Sequence, residues 1–554
     1  MHYKLDGKKI FLIFLIALVF RVWKLGEFPY GFHADEARVG WNALSILKTG
    51  KDDRGNKFAL YYNTFGDYRP TGIFYLTVPS IAIFGRNEFA VRFPSAILGA
   101  LTVFPLYFFV LKVTNKKNLG LISALLLAIS PWHVEVSRAT SEVAISTFFA
   151  LFALYFFVLL IKTQKWKFAF LSIIFVAISY LLYHAIRFLA PPFYLIIALY
   201  YLRDFKKTKI KWIVIGSLVA VFLLSLYFSV TPQAKKRFSQ VSIFSDIDMG
   251  YEISRIRSEN KTRNLLTTIF DNKEVIYTRR FLNEYAIYFG GGFLLSDLAR
   301  PYRYITPGVG LLTYVEFIFF ALGIIEIAKG KRSFLPLALL LIAPIPAAIT
   351  AEDAPNLHRA FFMVPFLMTI EAYGLTQLLS FSKKHSSKIM VSIFALLILN
   401  FAFFLHMYFN HSQIHKPFIE NLVLDGSSYR NVGAKELVFE LEKLKGRYDK
   451  IIVTNFPDDP YPWYAFFTDK DPKDFNSYAI KRVSGSWTYG NLVFSNLRCP
   501  SDDSFVEPNP EKLLVIDSWP CAYESKIRDG LPVKVIDKIK RPDGSEVYIF
   551  LARK

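Results

Sequence analysis

The chain has 554 residues, of which 53% are hydrophobic and 55 are Phe, and its mean hydropathy is positive at +0.31. A chain this apolar does not close into one soluble core; it needs a bilayer as part of its solvent. The formal net charge of +21 does not point to nucleic acid, because many of the Lys and Arg residues sit in short breaks between apolar runs rather than on one polar face.

In chain order, apolar runs of about 20 residues predict spanning helices near 9–25, 92–111, 119–132, 141–161, 168–183, 188–202, 211–230, 309–328, 334–350, 360–380 and 389–409, eleven in all. The first run lacks a small-residue cleavage site and leads straight into an acidic segment, so it reads as a retained helix rather than a cleaved signal peptide. The short breaks alternate in charge, with five Lys/Arg-rich ones on one side: Lys112/Lys116/Lys117, Lys162/Lys165/Lys167, Arg203/Lys206/Lys207/Lys209/Lys211, Lys329/Lys331/Arg332 and Lys383/Lys384/Lys388. With Lys4, Lys8 and Lys9 they fall on one side, which the positive-inside rule makes cytoplasmic. The expected layout is a transmembrane domain over 1–410 with a cytoplasmic N-terminus and large outer loops at 26–91 and 231–308.

Beyond 410 the chain turns polar and Pro-rich, with β-branched runs at 451–454, 513–516, 533–536 and 547–550 and a helical pattern near 434–446. Residues 411–554 therefore read as an extracytoplasmic α/β domain. It holds both cysteines, Cys499 and Cys521, which outside the cytoplasm suit a disulfide; two separate thiols are the alternative. Tyr461, Trp463, Tyr464 and Trp487 suit its core better than a sugar platform. No Walker loop or dinucleotide fingerprint occurs, and the Gly290-Gly291-Gly292 run reads as a loop bend.

The residues able to do chemistry gather at the outer ends. They are His33, Asp35, Glu36 and Arg38; Asp67 and Arg69; Arg86, Glu88 and Arg92; His133, Glu135, Arg138 and Glu142; His184 and Arg187; and His358 and Arg359. Loop charges are ordinarily solvated and interfacial arginines ordinarily reach for headgroups, so singly these say little. Asp35 stands out because it follows the first span closely and has a second carboxylate beside it, an arrangement that raises one pKa toward that of a useful base. Glu371, near the middle of the tenth expected span, is the one ionisable group at membrane depth that asks for a role.

Taken together, Asp35-Glu36, the segment Tyr68-Arg69-Pro70-Thr71-Gly72 through Phe84-Gly85-Arg86-Asn87-Glu88 to Arg92-Phe93-Pro94-Ser95, and Tyr285–Phe289 through Phe293-Leu294-Leu295 to Gly308 resemble the C-type fold (GT-C) membrane glycosyltransferases. These are the protein O-mannosyltransferases, the lipid A aminoarabinose transferase and their relatives in glycosyltransferase family 39. The resemblance implies an all-α polytopic bundle and a donor sugar carried on a polyprenyl phosphate, since nucleotide sugars are not available outside the cytoplasm. It implies an inverting displacement, with Asp35 as base and Glu36 as the alternative, onto a protein, lipid or glycan acceptor. Arg69 is then the first choice for the donor phosphate and Arg359 the second, with Arg187, His184 and Arg138 as further candidates. Glu142, where relatives usually carry Asp, and His33 are expected to bind the acceptor or orient the site. A divalent metal bridging Asp35, Glu142 and a histidine is conceivable but not required. The main alternative function is a lipid or sugar flippase, against which stand the mostly clean spans and the outward charges. A ligand-binding sensor or adhesin is a further alternative.

Overall fold

The structure is a computed structural model that describes residues 6–64, 67–204, 208–245, 247–259, 264–385, 387–411, 430–454, 456, 459–476, 481–483, 486–495, 512–518, 533–542, 544 and 546–553. Cys499 and Cys521, and with them the expected disulfide, lie outside the described residues. Two compact units emerge. The first comprises Met1–Trp23, Leu60–Ile73 and Ser95–Tyr408, and the second Lys24–Ala59, Phe74–Pro94 and Phe409–Lys554. The second thus adds 24–59 and 74–94 to the C-terminal region.

A helix, or a pair of short helices, falls at each of the eleven expected span positions. Among the described residues, five are long and apolar enough by themselves to cross a bilayer: Glu88–Thr114, Glu142–Thr163, Ile210–Ser229, Phe361–Phe381 and Ser387–Asn410. Lys117–Ile129 and Pro131–Arg138, bent by 55°, make a sixth if taken as one span. The bend arises at Ser130-Pro131: the Ser130 hydroxyl accepts from the His133 amide at 3.4 Å, and the proline nitrogen has no proton with which to continue the preceding helix. Ile210–Ser229 leaves Trp212, Phe222, Leu223 and Leu226 exposed, and Ser387–Asn410 does the same with Val391, Ile398, Leu399 and Phe403. Apolar faces of that extent meet lipid, and the chain is an integral membrane protein.

Inside the first unit the helices meet through small and polar contacts of the kind bilayers favour. Ser146 and Ser179 hydroxyls bond at 2.7 Å, and Ser172 and Tyr194 at 2.6 Å. Tyr314–Ala328 and Val364–His385 touch backbone to backbone, because a Cβ on Gly323 or Gly374 would run into the carbonyl of Ile370 or Phe319. Arg21 is wholly buried in the last turn of Gly7–Val22 and donates to Ala17, Leu127 and Ala128 carbonyls at 3.0 Å each. Its charge so closes the otherwise orphaned C-terminal carbonyls of a neighbouring helix. Glu371 is 0% exposed, and neither of its carboxyl oxygens has a hydrogen-bond partner among the described residues.

The second unit is built on a seven-stranded mixed sheet. Its strands are β3 (Lys450–Thr454), β4 (Lys481–Val483), β5 (Ser486–Tyr489), β6 (Leu492–Ser495), β7 (Leu513–Ser518), β8 (Val533–Lys540) and β9 (Glu546–Arg553), in the order β4-β5-β6-β3-β7-β9-β8. β3 runs parallel to both β6 and β7, and the remaining pairs are antiparallel. One face buries Ile452, Leu513, Val515, Ile549 and Leu551. Phe456, Trp463, Trp487 and Phe494 form an edge-to-face aromatic chain, and Tyr461, Trp463, Tyr464 and Trp487 are all buried, as a core requires.

The stretch expected as the outer loop 26–91 is more ordered than its polarity suggested. It contains the helix Ala34–Thr49, the hairpin of β1 (Tyr61–Thr64) and β2 (Asp67–Pro70), and an apolar helix Gly72–Phe84.

Candidate functional site

Two clusters of charged residues form, one in each unit. In the second unit Asp35 and Glu36 occupy the first turn of Ala34–Thr49, where carboxylates complement the helix dipole. His33 caps that helix: its Nδ1 accepts from the Asp35 amide at 3.1 Å, and its own amide donates to Glu36 Oε2 at 3.1 Å. His33 Nδ1 also lies 3.5 Å from Asp35 Oδ2.

The two adjacent carboxylates have different surroundings, since successive helical residues do not face one another. Glu36 is 3% exposed at its side chain and is gripped by Arg92, with Nε on Oε1 at 2.9 Å and Nη2 on Oε2 at 3.1 Å. Arg430 lies 3.8 Å away. Burial pushes the Glu36 carboxyl up, but Arg92, helped by Arg430 and the His33 amide, outweighs it and holds the group down at about 2. Asp35 is 22% exposed, and Arg38, one turn on, meets its Oδ1 at 3.3 Å. The expectation that adjacency raises one pKa therefore does not describe Glu36, whose charge Arg92 neutralises.

In the first unit an ion ladder runs Arg69, Asp67, Arg237, Glu352, Arg359. Arg69 Nε is 2.8 Å and Arg237 Nε 3.1 Å from the Asp67 carboxylate. Arg237 Nη2 is 3.0 Å from Glu352 Oε2, which also takes Arg359 Nη2. Among the described residues the ladder sets three guanidinium groups against two carboxylates. Its members are open to solvent, from 13% exposure at Arg359 to 48% at Glu352. Burial raises the Glu352 carboxyl, yet Arg237 and Arg359 bring it below its ordinary value. The hairpin β1–β2 brings in Asp67 and Arg69, and the amphipathic helix Pro232–Val241 brings in Arg237, with Lys236 over the Tyr68 ring at 5.7 Å. The Arg359 amide is held by Asn356 Oδ1 at 2.8 Å.

Beside the ladder, Ser141 Oγ meets His358 Nε2 at 3.0 Å, and the His358 ring stacks on Tyr304 and stands edge-on to Tyr183. Glu142, the first residue of the next helix, is half-buried, and it and Arg359 both act electrostatically on Tyr183.

Arg69 and Arg359 are therefore brought together, whereas the other cations proposed from sequence are occupied elsewhere. Arg187, 1% exposed, spends its guanidinium on the Tyr180 carbonyl, Tyr61 hydroxyl, His184 Nδ1 and Phe228 carbonyl. The other nitrogen of His184 donates to the Tyr68 carbonyl at 3.1 Å, and burial with Arg187 alongside keeps this ring well below the usual histidine range. Both residues tether the hairpin that carries Arg69. Arg138 is buried and donates to the Phe20 and Trp23 carbonyls at 2.8 Å and to the Tyr408 hydroxyl at 3.1 Å, sealing the end of the first helix. Sequence reasoning missed Arg237; the available signal was the Lys235-Lys236-Arg237 run in a short helix after a Thr231-Pro232 start, a pattern that resembles any interfacial helix. Among the described residues no three His, Cys, Asp or Glu side chains come together as a metal site.

Residues 68–228 match the family described as dolichyl-phosphate-mannose-protein mannosyltransferase. An uncharacterized protein of Aquifex aeolicus (strain VF5) is 24% identical over 250 residues, 45% of this chain and 49% of the relative. Among solved structures, ArnT from Cupriavidus metallidurans bound to undecaprenyl phosphate superposes over 98% of both chains with a TM-score of 0.52 and 11% identity. The oligosaccharyltransferase AglB from Archaeoglobus fulgidus, solved with an inhibitory peptide and a dolichol-phosphate, gives a TM-score of 0.48 at 13% identity over 83% of this chain and 63% of that one. The chain thus spans about half the length of the curated relative it matches and under two thirds of the oligosaccharyltransferase. The sequence match over 68–228 and the end-to-end likeness to ArnT place the chain in the C-type fold of the membrane glycosyltransferases, the resemblance expected from its Asp35-Glu36 and 68–95 segments.

Proposed function

We propose that the protein is an inverting glycosyltransferase that moves a sugar from a polyprenyl-phosphate-linked donor to a protein, lipid or glycan acceptor at the outer face of the membrane. The observation that carries this reading is the ladder of Arg69, Arg237 and Arg359 against Asp67 and Glu352. A net-cationic, solvent-accessible set of guanidinium forks suits a phosphate. The membrane layout belongs to the same proposal: eleven spans, a cytoplasmic N-terminus, and both the ladder and the sheet unit outside.

In the reaction Asp35 takes the proton from the acceptor hydroxyl or amine as that atom bonds to the anomeric carbon. The bond from that carbon to the polyprenyl phosphate breaks, and the electron pair leaves with the phosphate, whose charge cationic groups stabilise. One displacement inverts the centre. Asp35 rather than Glu36 is the base, because Glu36 is enclosed by Arg92 whereas Asp35 is partly exposed. Arg38, 3.3 Å from Asp35 Oδ1, orients it. Glu142, which acts electrostatically on Tyr183, is assigned to binding the acceptor or orienting the site.

The test incubates membranes with a panel of radiolabelled polyprenyl-phosphate hexoses and pentoses and scores covalent transfer by wild type, Asp35→Asn and Arg237→Ala. Loss of transfer in Asp35→Asn, and reduced transfer at sub-saturating donor in Arg237→Ala, are expected. Label that crosses the bilayer with no covalent product would replace this reading with a flippase.

A further inference from the structure

His33 does not cap the carboxylate helix alone. The first N–H groups of a helix have no intrahelical acceptor, and His33 supplies one for Asp35. The amide of Ala34, immediately before Asp35, donates instead to Asn431 Oδ1 at 3.3 Å, from a residue 397 positions along the chain. Asn431 is 3% exposed and sits in the left-handed region at φ 55°, which Asn tolerates better than most residues. Its carbonyl accepts from the Ala434 amide at 3.1 Å as the helix Ala434–Leu444 begins, so its backbone is fixed from the other side.

Its neighbour adds two contacts. Arg430 places a guanidinium 3.8 Å from Glu36 Oε2, and its carbonyl would lie 2.7 Å from a Cβ at Gly31, itself at φ 80°. The loop before the helix is thus pressed against the 430–431 backbone at a point where only glycine fits. Trp463 donates to the Phe32 carbonyl at 2.7 Å, holding the same loop one residue further on.

From this we infer that Asn431, supported by Arg430, is a positioning residue for Asp35, setting the start of the helix and with it the direction in which the carboxylate leaves the backbone. The inference rests on the reading of Asp35 as base. A cap of this kind is worth about 1 kcal/mol, roughly a fivefold population effect, but displacement of a reacting group by about 1 Å lowers turnover by up to about a hundredfold.

The test uses the full chain and three variants. Asn431→Gly removes the acceptor oxygen while keeping the left-handed backbone comfortable, Asn431→Asp keeps the oxygen, and Asp35→Asn controls for the base. Hydrogen exchange of the peptide spanning Ala34–Arg38 is measured alongside kcat and donor KM, using radiolabelled polyprenyl-phosphate mannose or whichever panel member is transferred. Asn431→Gly is expected to speed exchange about fivefold, to lower kcat by about ten- to a hundredfold and to leave donor KM unchanged, with Asn431→Asp restoring both. Wild-type exchange in Asn431→Gly overturns the cap, and wild-type kcat there beside an inactive Asp35→Asn overturns the positioning role alone. Full activity of Asp35→Asn overturns the underlying reading of the base, and appears in that variant whatever Asn431 does.

Discussion

Replacing Glu36 with Gln tests the electrostatic assignment most directly. The carboxyl is held at about 2 against an ordinary 4.5, and at 1.36 kcal/mol per pH unit that difference amounts to about 3 kcal/mol of preference for the ionised form in the folded protein. The sign follows from the depression: the stabilisation is present in full above 4.5 and is lost as pH falls from there toward 2. Glu36→Gln removes it at neutral pH and leaves Arg92, buried and 1% exposed at its side chain, without its counter-charge, so the expected cost is about 3–5 kcal/mol. A double variant, Glu36→Leu with Arg92→Met, removes both charges and should recover most of the loss. Thermal unfolding of purified protein in detergent, scanned from neutral pH down through this window, measures both effects. A Glu36→Gln protein that unfolds within about 1 kcal/mol of wild type, or keeps the same acid dependence, would refute the assignment and reopen Glu36 as a base.

Arg237→Ala removes the guanidinium shared by Asp67 and Glu352, and donor KM should rise about ten- to a hundredfold, the range for a lost charge-assisted hydrogen bond, with kcat changed less. Glu352→Gln frees Arg237 and Arg359 from a competing carboxylate; donor KM should fall several-fold, more at low salt than at high, when transfer is titrated at two ionic strengths. Arg138→Lys loses the fork that closes the first helix; its Tm in detergent should drop while donor KM stays at the wild-type value, separating it from the ladder arginines.

The helical class, the positions of the helices and, among the described residues, four of the seven C-terminal strands were legible because each rests on a local pattern: an apolar run of fixed length or a β-branched cluster. The hairpin β5–β6 went unread: Gly490-Asn491 between Trp487-Thr488-Tyr489 and Leu492-Val493-Phe494 is a turn between alternating runs, but the surrounding polar sequence masked it. What the sequence could not show is which charge meets which. Arg69, Arg187 and Arg359 look equally suited to a phosphate; only their neighbours decide, and Arg187 is used up by four partners that span positions 61 to 228. Asp35 and Glu36 look equivalent for the same reason, until Arg92 arrives 56 positions later.

The bond from Trp463 to the Phe32 carbonyl joins residues 431 positions apart, and that separation governs when the carboxylate loop can take its working form. At about 5–20 residues per second of synthesis, residues 31–36 leave the ribosome some 20–80 seconds before their supports exist. On the proposed reading of Asp35 as base, the nascent chain therefore carries no ordered base during that interval.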